Sequence, residues 1–176
     1  FNRQFARLRS LVDDGLIRAG LTPGDIRAAH RAGEQVAVLC SEGGDFIEDR
    51  LERLGEAYAA GLRSVTLVHY HVNQLGDIQT VAPVHQGLTE FGRAVVGEMN
   101  RLGMIIDVAH ATQATCAGVV AESRVPVMLS HSHLQAGAEP SPRLISAEHA
   151  RLVTDAGGII GAWPAGIGST TLADFV

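Results

Sequence analysis

The stretch that decides the fold is residues 88–110, LTEFGRAVVGEMNRLGMIIDVAH. Leu88, Phe91, Val95, Met99 and Leu102 recur every three or four residues and lay one apolar stripe along a helix. Residues 104–109 are apolar almost throughout and too few for a helix, so they read as a buried strand. Between the two stands Gly103, which can take the left-handed conformation that closes a helix and turns the chain into a strand.

The same punctuation recurs elsewhere. Gly33 precedes an apolar run at 36–40, Gly61 one at 65–68, and Gly157-Gly158 one at 159–163. A fifth run, 125–130, lacks the glycine and sets Pro126 at its start, where a missing N–H is tolerated. Ile47, Leu51, Leu54 and Tyr58 form a second helical stripe. Further helices are expected over 23–31, 112–123 and 146–155, the last opened by Ser146 with Glu148 in its first turn. Strands apolar on both faces belong to a parallel sheet with helical crossovers, so the chain is α/β. Periodicity leaves two architectures open, a doubly wound sheet and part of an eight-unit barrel. No composition shift marks a boundary, and 1–176 reads as one domain. The long irregular stretch at 70–86 is expected to be a functional loop or lid.

Composition excludes several classes. With 14 basic against 19 acidic residues the net charge is −5, the wrong sign for a nucleic-acid footprint. At 46% hydrophobic residues the chain can bury a real core. Cys40 and Cys116 stand far apart, which argues against a disulfide framework and is compatible with a reducing compartment. No apolar run approaches the ~20 residues that span a bilayer, and residues 1–20 lack a signal-peptide pattern. A soluble, cytoplasmic protein is the favoured expectation, with a signal upstream of residue 1 left open.

In parallel α/β folds chemistry collects at the carboxyl ends of the strands, because every strand delivers its next residue to the same side. Ser41-Glu42 follows the first run, His69 the second, His110 the third, His131 the fourth and Trp163 the fifth. One carboxylate and three imidazoles at equivalent positions are what a divalent metal needs, with room left for water. Such an ion lowers the pKa of its water toward ~7, which implies metal-assisted hydrolysis. Each residue also has a plainer role. Glu42 could cap a helix after Gly43-Gly44, and Asp107 could either hydrogen-bond a ligand histidine or be a satisfied buried carboxylate. His71 and His133 could be alternative ligands or support the ligands from behind, and Trp163 packs more readily than it binds. His30, His85 and His149 fall on expected helices or loops and read as structural. Arg143, on a proline-broken loop, could clamp a carboxylate or simply be solvated.

At these residues the sequence resembles the membrane dipeptidase (renal dipeptidase) family of zinc peptidases, metallopeptidase family M19, within the amidohydrolase-like barrels. The resemblance is carried by Ser41-Glu42-Gly43-Gly44, by Thr66-Leu67-Val68-His69, by 87–110 with its GLTEFG and EMNRLGMIID segments, by Ser130-His131-Ser132 and by Pro142-Arg143. It runs from about Gly33 to Trp163. It implies a (β/α)8 TIM-type barrel with two zinc ions that hydrolyses dipeptides, of which about five of the eight βα units are present here. By the same resemblance Glu42 bridges the two metals and is catalytic, while His110 and His131 bind one of them. His69 contacts the substrate and stabilises the tetrahedral intermediate, Arg143 holds a substrate carboxylate, and a metal-bridging water is the expected nucleophile. The partner is a small dipeptide, and a homodimer stays open.

The chain departs from that pattern in places. No His-x-Asp pair, which binds the other zinc in the family, precedes Glu42, and the chain stops before the family's late aspartate. After His69 the family usually has asparagine, whereas Tyr70-His71-Val72-Asn73 follows here. Both ends of a longer natural protein are therefore expected to lie outside this sequence. Two other readings stand beside the dipeptidase: an amidohydrolase of lactonase or phosphotriesterase type, and a non-catalytic truncated barrel acting as a binding module.

Overall fold

The computed structural model describes residues 2–135 and 141–163. Helix α1 (Asn2–Asp13) leads into β1 (Arg18–Ala19), α2 (Pro23–Ala32) and β2 (Val36–Ala37). Then come β3 (Cys40–Glu42), a 3-10 turn (Asp45–Ile47), α3 (Glu52–Ala59), β4 (Ser64–Thr66), α4 (Glu90–Leu102) and β5 (Ile105–Asp107). The described chain continues through α5 (Gln113–Glu122), β6 (Met128–Ser132), α6 (Ala147–Asp155) and β7 (Ile159–Ala162).

Strands β3 to β7 form one parallel sheet in which spatial order equals chain order. That order resolves the architecture left open by periodicity. A doubly wound sheet reverses direction at a switch point, whereas a barrel adds each strand beside the last, as here. Strands β1 and β2 pair with each other in a separate parallel ribbon. The apolar run at 36–40 is therefore not one strand: its first two residues join the ribbon, and Cys40 joins the main sheet together with the polar Ser41 and Glu42. Backbone pairing with β4 carries the strand past the point where the apolar pattern ends. Helix α1 and strand β1 have no counterpart in the sequence reading, although Phe5 of α1 is buried in the core.

All four glycines read as helix closers have positive φ: Gly33 at 68°, Gly61 at 112°, Gly103 at 71° and Gly157 at 75°. Helices α2, α4, α5 and α6 each open on a Thr or Ser whose hydroxyl accepts from a backbone N–H three residues on. Val65, Ile106 and Leu129 lie on the sheet face covered by the helices and are fully buried with Leu54, Val95, Met99 and Val153. Each such side chain contributes about 2 kcal/mol of burial free energy. The neighbouring positions of the strands point to the other face, where Ile105 and Ile159 are exposed. Among the described residues, no helix is long and apolar enough to cross a membrane.

Candidate metal centre

One row of paired residues crosses the sheet: Glu42, Thr66, Asp107, Met128 and Ile159 are register partners in turn. Residues in one row point to one face, here the one opposite the buried Val65, Ile106 and Leu129. Glu42 stands in the row itself, while His69, His110 and His131 each lie three residues beyond their own strand's member. A common step beyond a common row is why residues so distant in sequence share one mouth.

Local devices then aim each side chain. The backbone N–H groups of Gly43 and Gly44 bond the carbonyls of Thr66 and Leu67 at 3.0 and 3.1 Å, extending the contact beyond Glu42. A Cβ on Gly44 would approach Leu67 O to 2.9 Å, so this close approach requires glycine. No side chain caps the 3-10 turn that follows Gly44, so Glu42 does not act as a cap. His110 sits at φ 67°, a left-handed conformation rare outside glycine that often marks functional positions. In β6 the pairing passes from Leu129–Ile160 to Ser132–Ala162, three steps against two, so an extra residue bulges at Ser130-His131. A bulge of this kind re-aims its side chain. His131 thus falls inside its strand rather than after it.

The four predicted residues meet. Glu42 Oε1 is 3.0 Å from His110 Nε2 and 3.3 Å from both His131 Nε2 and His69 Nε2. His110 Nε2 and His131 Nε2 are 3.0 Å apart. Among the described residues, Glu42, His110 and His131 form one group of ligand atoms close enough to share a metal ion. The donor set fits zinc. Donors bound at about 2.0–2.1 Å in a tetrahedron lie about 3.3 Å apart, close to the separations seen here. His110 is buried, and its pKa is lowered to about 4 by that burial and by the Arg143 guanidinium. It is therefore neutral near pH 7, as ligation demands.

The surroundings hold the ligands. Arg143 Nη1 is 2.9 Å from His110 Nδ1 and 3.4 Å from Gln79 Oε1, and its Cζ lies 5.2 Å from the Trp163 ring centre. Trp163 also meets His131 edge-on at 5.8 Å, so it packs against the site. Tyr70, 79% exposed, has its ring 3.8 Å from that of His69 and forms part of the rim. Of the remaining histidines, His71 pairs with Asp45 at 2.8 Å and is not in the group of ligand atoms. His85 Nε2 lies 3.1 Å from Asn73 O, His30 is exposed, and His149 is buried in α6. His133 is not among the grouped ligands.

The stretch at 70–86 is partly folded into the core, with Leu75 and Ile78 buried. Buried Asp77 accepts from the backbone N–H groups of Val84, His85 and Gly87 at 2.7, 2.9 and 2.8 Å, pinning the loop to itself. These bonds hold its pKa below the ordinary carboxylate range against the opposing effect of burial. The loop then delivers Gln79, whose N–H bonds His110 O at 2.9 Å. Gln79 and Tyr70 were missed from sequence because nothing local distinguishes them. Ser130 was also missed, although its place beside His131 was a usable signal.

A parallel α/β sheet that gathers a carboxylate and imidazoles from successive strand ends defines a metal-site protein of the barrel type. The chain belongs to the membrane dipeptidase family (peptidase family M19), whose model matches residues 7–164. Dipeptidase verJ from Clonostachys rogersoniana is 32% identical over 133 residues, covering 74% of this chain and 34% of its own. Two structures from Pseudomonas aeruginosa, an amidohydrolase and the probable dipeptidase PvdM, superpose with TM-scores of 0.83 and 0.82 at 27% identity. They cover 90% and 89% of this chain, and 49% and 41% of their own. A metallo peptidase from Rhodobacter sphaeroides, solved with a phosphinate mimic of L-Ala-D-Ala, superposes at 0.70 and 26% identity over 82% of this chain and 42% of its own. The chain thus spans half or less of the length of these relatives, and its sheet is part of an amidohydrolase-like (β/α)8 barrel.

Proposed function

We propose that this chain carries the Glu-His-His side of the metal centre of a zinc-dependent dipeptidase, and that residues 1–176 are one partial barrel domain. The observation that carries the reading is the convergence of Glu42 Oε1, His110 Nε2 and His131 Nε2 within 3.0 to 3.3 Å at the carboxyl end of the sheet. Family membership supports the peptide substrate, and the printed descriptions of verJ and PvdM as dipeptidases point the same way.

In this reading Glu42, His110 and His131 would hold a zinc ion, and a second ion beside Glu42 would complete the two-zinc site that the family resemblance implies. A bound zinc ion supplies Lewis acidity and a water acidified toward a pKa of about 7. The protein's own groups do the rest. His69, 3.3 Å from Glu42, presents an imidazole N–H toward the oxyanion that develops as the peptide carbonyl becomes tetrahedral. Arg143 offers a planar fork for the dipeptide carboxylate and so would orient the substrate in the mouth. Tyr70 and Trp163 wall the mouth with aromatic surface. The net charge of −5 supports the absence of a nucleic-acid partner, and the free thiols of Cys40 and Cys116 are compatible with a cytoplasmic compartment.

Metal analysis and dipeptide hydrolysis on the wild type, Glu42→Gln and His110→Ala test the proposal. Zinc content and turnover are expected to fall in both variants. Unchanged zinc and activity in both, or turnover of lactones or phosphotriesters with none of dipeptides, would overturn it.

A further inference from the structure

We propose that Asp107 is a positioning residue for the metal centre, acting through the Ser130 hydroxyl to keep the His131 ring proton on Nδ1 and its Nε2 lone pair free. The proposal rests on the reading of His131 as a ligand. It concerns a residue that touches none of the ligand atoms.

Asp107 is 3% exposed, and each of its oxygens is doubly engaged. Oδ1 accepts from the N–H groups of Ala109 and Ser130 at 3.0 and 2.9 Å. Oδ2 accepts from the hydroxyls of Thr66 and Ser130, both at 2.6 Å. One carboxylate therefore ties together the carboxyl ends of β4, β5 and β6, the three strands that precede or carry His69, His110 and His131. These short bonds are the kind formed by hydroxyls to an ionised carboxylate.

The consequence for His131 follows from donor counting. A serine hydroxyl has one proton. With that proton directed to Asp107 Oδ2, only lone pairs of Ser130 Oγ remain for His131 Nδ1, 2.8 Å away. Nδ1 must then be the donor, and the neutral ring keeps its lone pair on Nε2, the atom 3.3 Å from Glu42 Oε1. A metal-ligating histidine needs this arrangement, and the group that fixes the other nitrogen sets it. An asparagine at 107 cannot reproduce it. If its NH2 replaces Oδ2, it meets two hydroxyls that must turn around, and Ser130 can then donate to Nδ1. If its NH2 replaces Oδ1, it faces two backbone N–H groups.

The test uses the full 176-residue chain, first metal-free, with 15N NMR of the imidazole nitrogens at fixed pH, and then with zinc in competition against a chromophoric chelator. Wild-type His131 is expected in the Nδ1–H form. Asp107→Asn and Ser130→Ala are expected to populate the Nε2–H form and to weaken zinc binding about 10- to 100-fold. If Asp107→Asn does not fold, Ser130→Ala decides, since it removes only a hydroxyl. A wild-type tautomer and wild-type zinc affinity in the folded variants would overturn the proposal, as would an Nε2–H tautomer in the wild type. Failure of the ligand reading has a different signature: zinc binding that survives Glu42→Gln and His131→Ala. The tautomer measurement on metal-free protein still judges the role of Asp107 in that case.

Discussion

Arg143 and His110 are joined side chain to side chain, with Nη1 2.9 Å from Nδ1. A guanidinium only donates, so Nδ1 accepts and the remaining ring proton of metal-free His110 lies on Nε2, toward Glu42 and His131; holding a metal through Nε2 would require that proton to move to Nδ1 and Arg143 to turn away from it. Arg143 thus belongs to the electrostatics of the ligand as well as to the mouth. Replacing it with glutamine is expected to raise the His110 pKa above its value of about 4, while burial, the larger cause, still holds it below 6.5. NMR titration of the metal-free chain reads this directly. Under the proposed function the same variant raises KM for dipeptides at least tenfold with a smaller change in kcat. Arg143→Lys does not restore it, because a point charge replaces a planar fork.

Acid should destabilise the metal-free fold in a defined window. His110 has a folded pKa of about 4 against 6.5 when unfolded, and burial lowers that of His149 as well. Between these values the unfolded chain binds more protons, so stability rises with pH: the contribution is full above pH 6.5 and is lost as pH falls through about 4. The urea midpoint is expected to drop across that range. His149 adds to the slope, since its buried Nε2 has no hydrogen-bond partner among the described residues. His149→Leu should flatten part of the pH dependence and leave neutral-pH stability equal or up to about 1 kcal/mol higher, because it removes an unpaired polar atom. A fall of several kcal/mol would contradict this.

The left-handed backbone of His110, at φ 67°, separates its role as ligand from its cost to the fold. Both His110→Ala and His110→Gly remove the imidazole, but only glycine accepts that conformation without strain. The glycine variant is expected to be about 1 kcal/mol more stable than the alanine variant, with equal loss of zinc. Chemical denaturation of the two metal-free proteins checks it.

Two glycines should respond to alanine in opposite ways. Gly161 lies against the β6 bulge, where a Cβ would collide with the Ser130 carbonyl oxygen and sit 2.8 Å from its carbon. Gly161→Ala is expected to cost about 1–3 kcal/mol and to weaken zinc binding, because the backbone that carries His131 must move. Gly97 lies in the middle of α4 with open space around it. Gly97→Ala is expected to stabilise by about 0.5–1 kcal/mol with no effect on the metal. Thermal unfolding and zinc titration of both variants separate the cases.

Much of the site was legible because its residues fall where apolar runs stop. His69 and His110 were found by that rule, and both lie three residues beyond the row shared by the strands. Glu42 was found although its strand was misplaced, since Ser41 and Glu42 look like the end of a run but are paired to β4. Asp107 was left between two roles: the structure shows the satisfied buried carboxylate, and Ser130 stands between it and His131 where a direct bond to a histidine was one expectation. No local pattern announces Gln79, whose place depends on a loop pinned from within by Asp77.

Taken alone, the amino-acid order determined where helices and strands alternate. Periodicity, hydroxyl caps and positive-φ glycines act within a few residues, and a one-dimensional reading can follow them. Strand neighbours, the bulge at Ser130-His131 and the separations of 3.0 to 3.3 Å among Glu42, His110 and His131 were decided only by the tertiary structure. Those features depend on backbone hydrogen bonds and packing between segments far apart in the chain, which no short window of sequence contains.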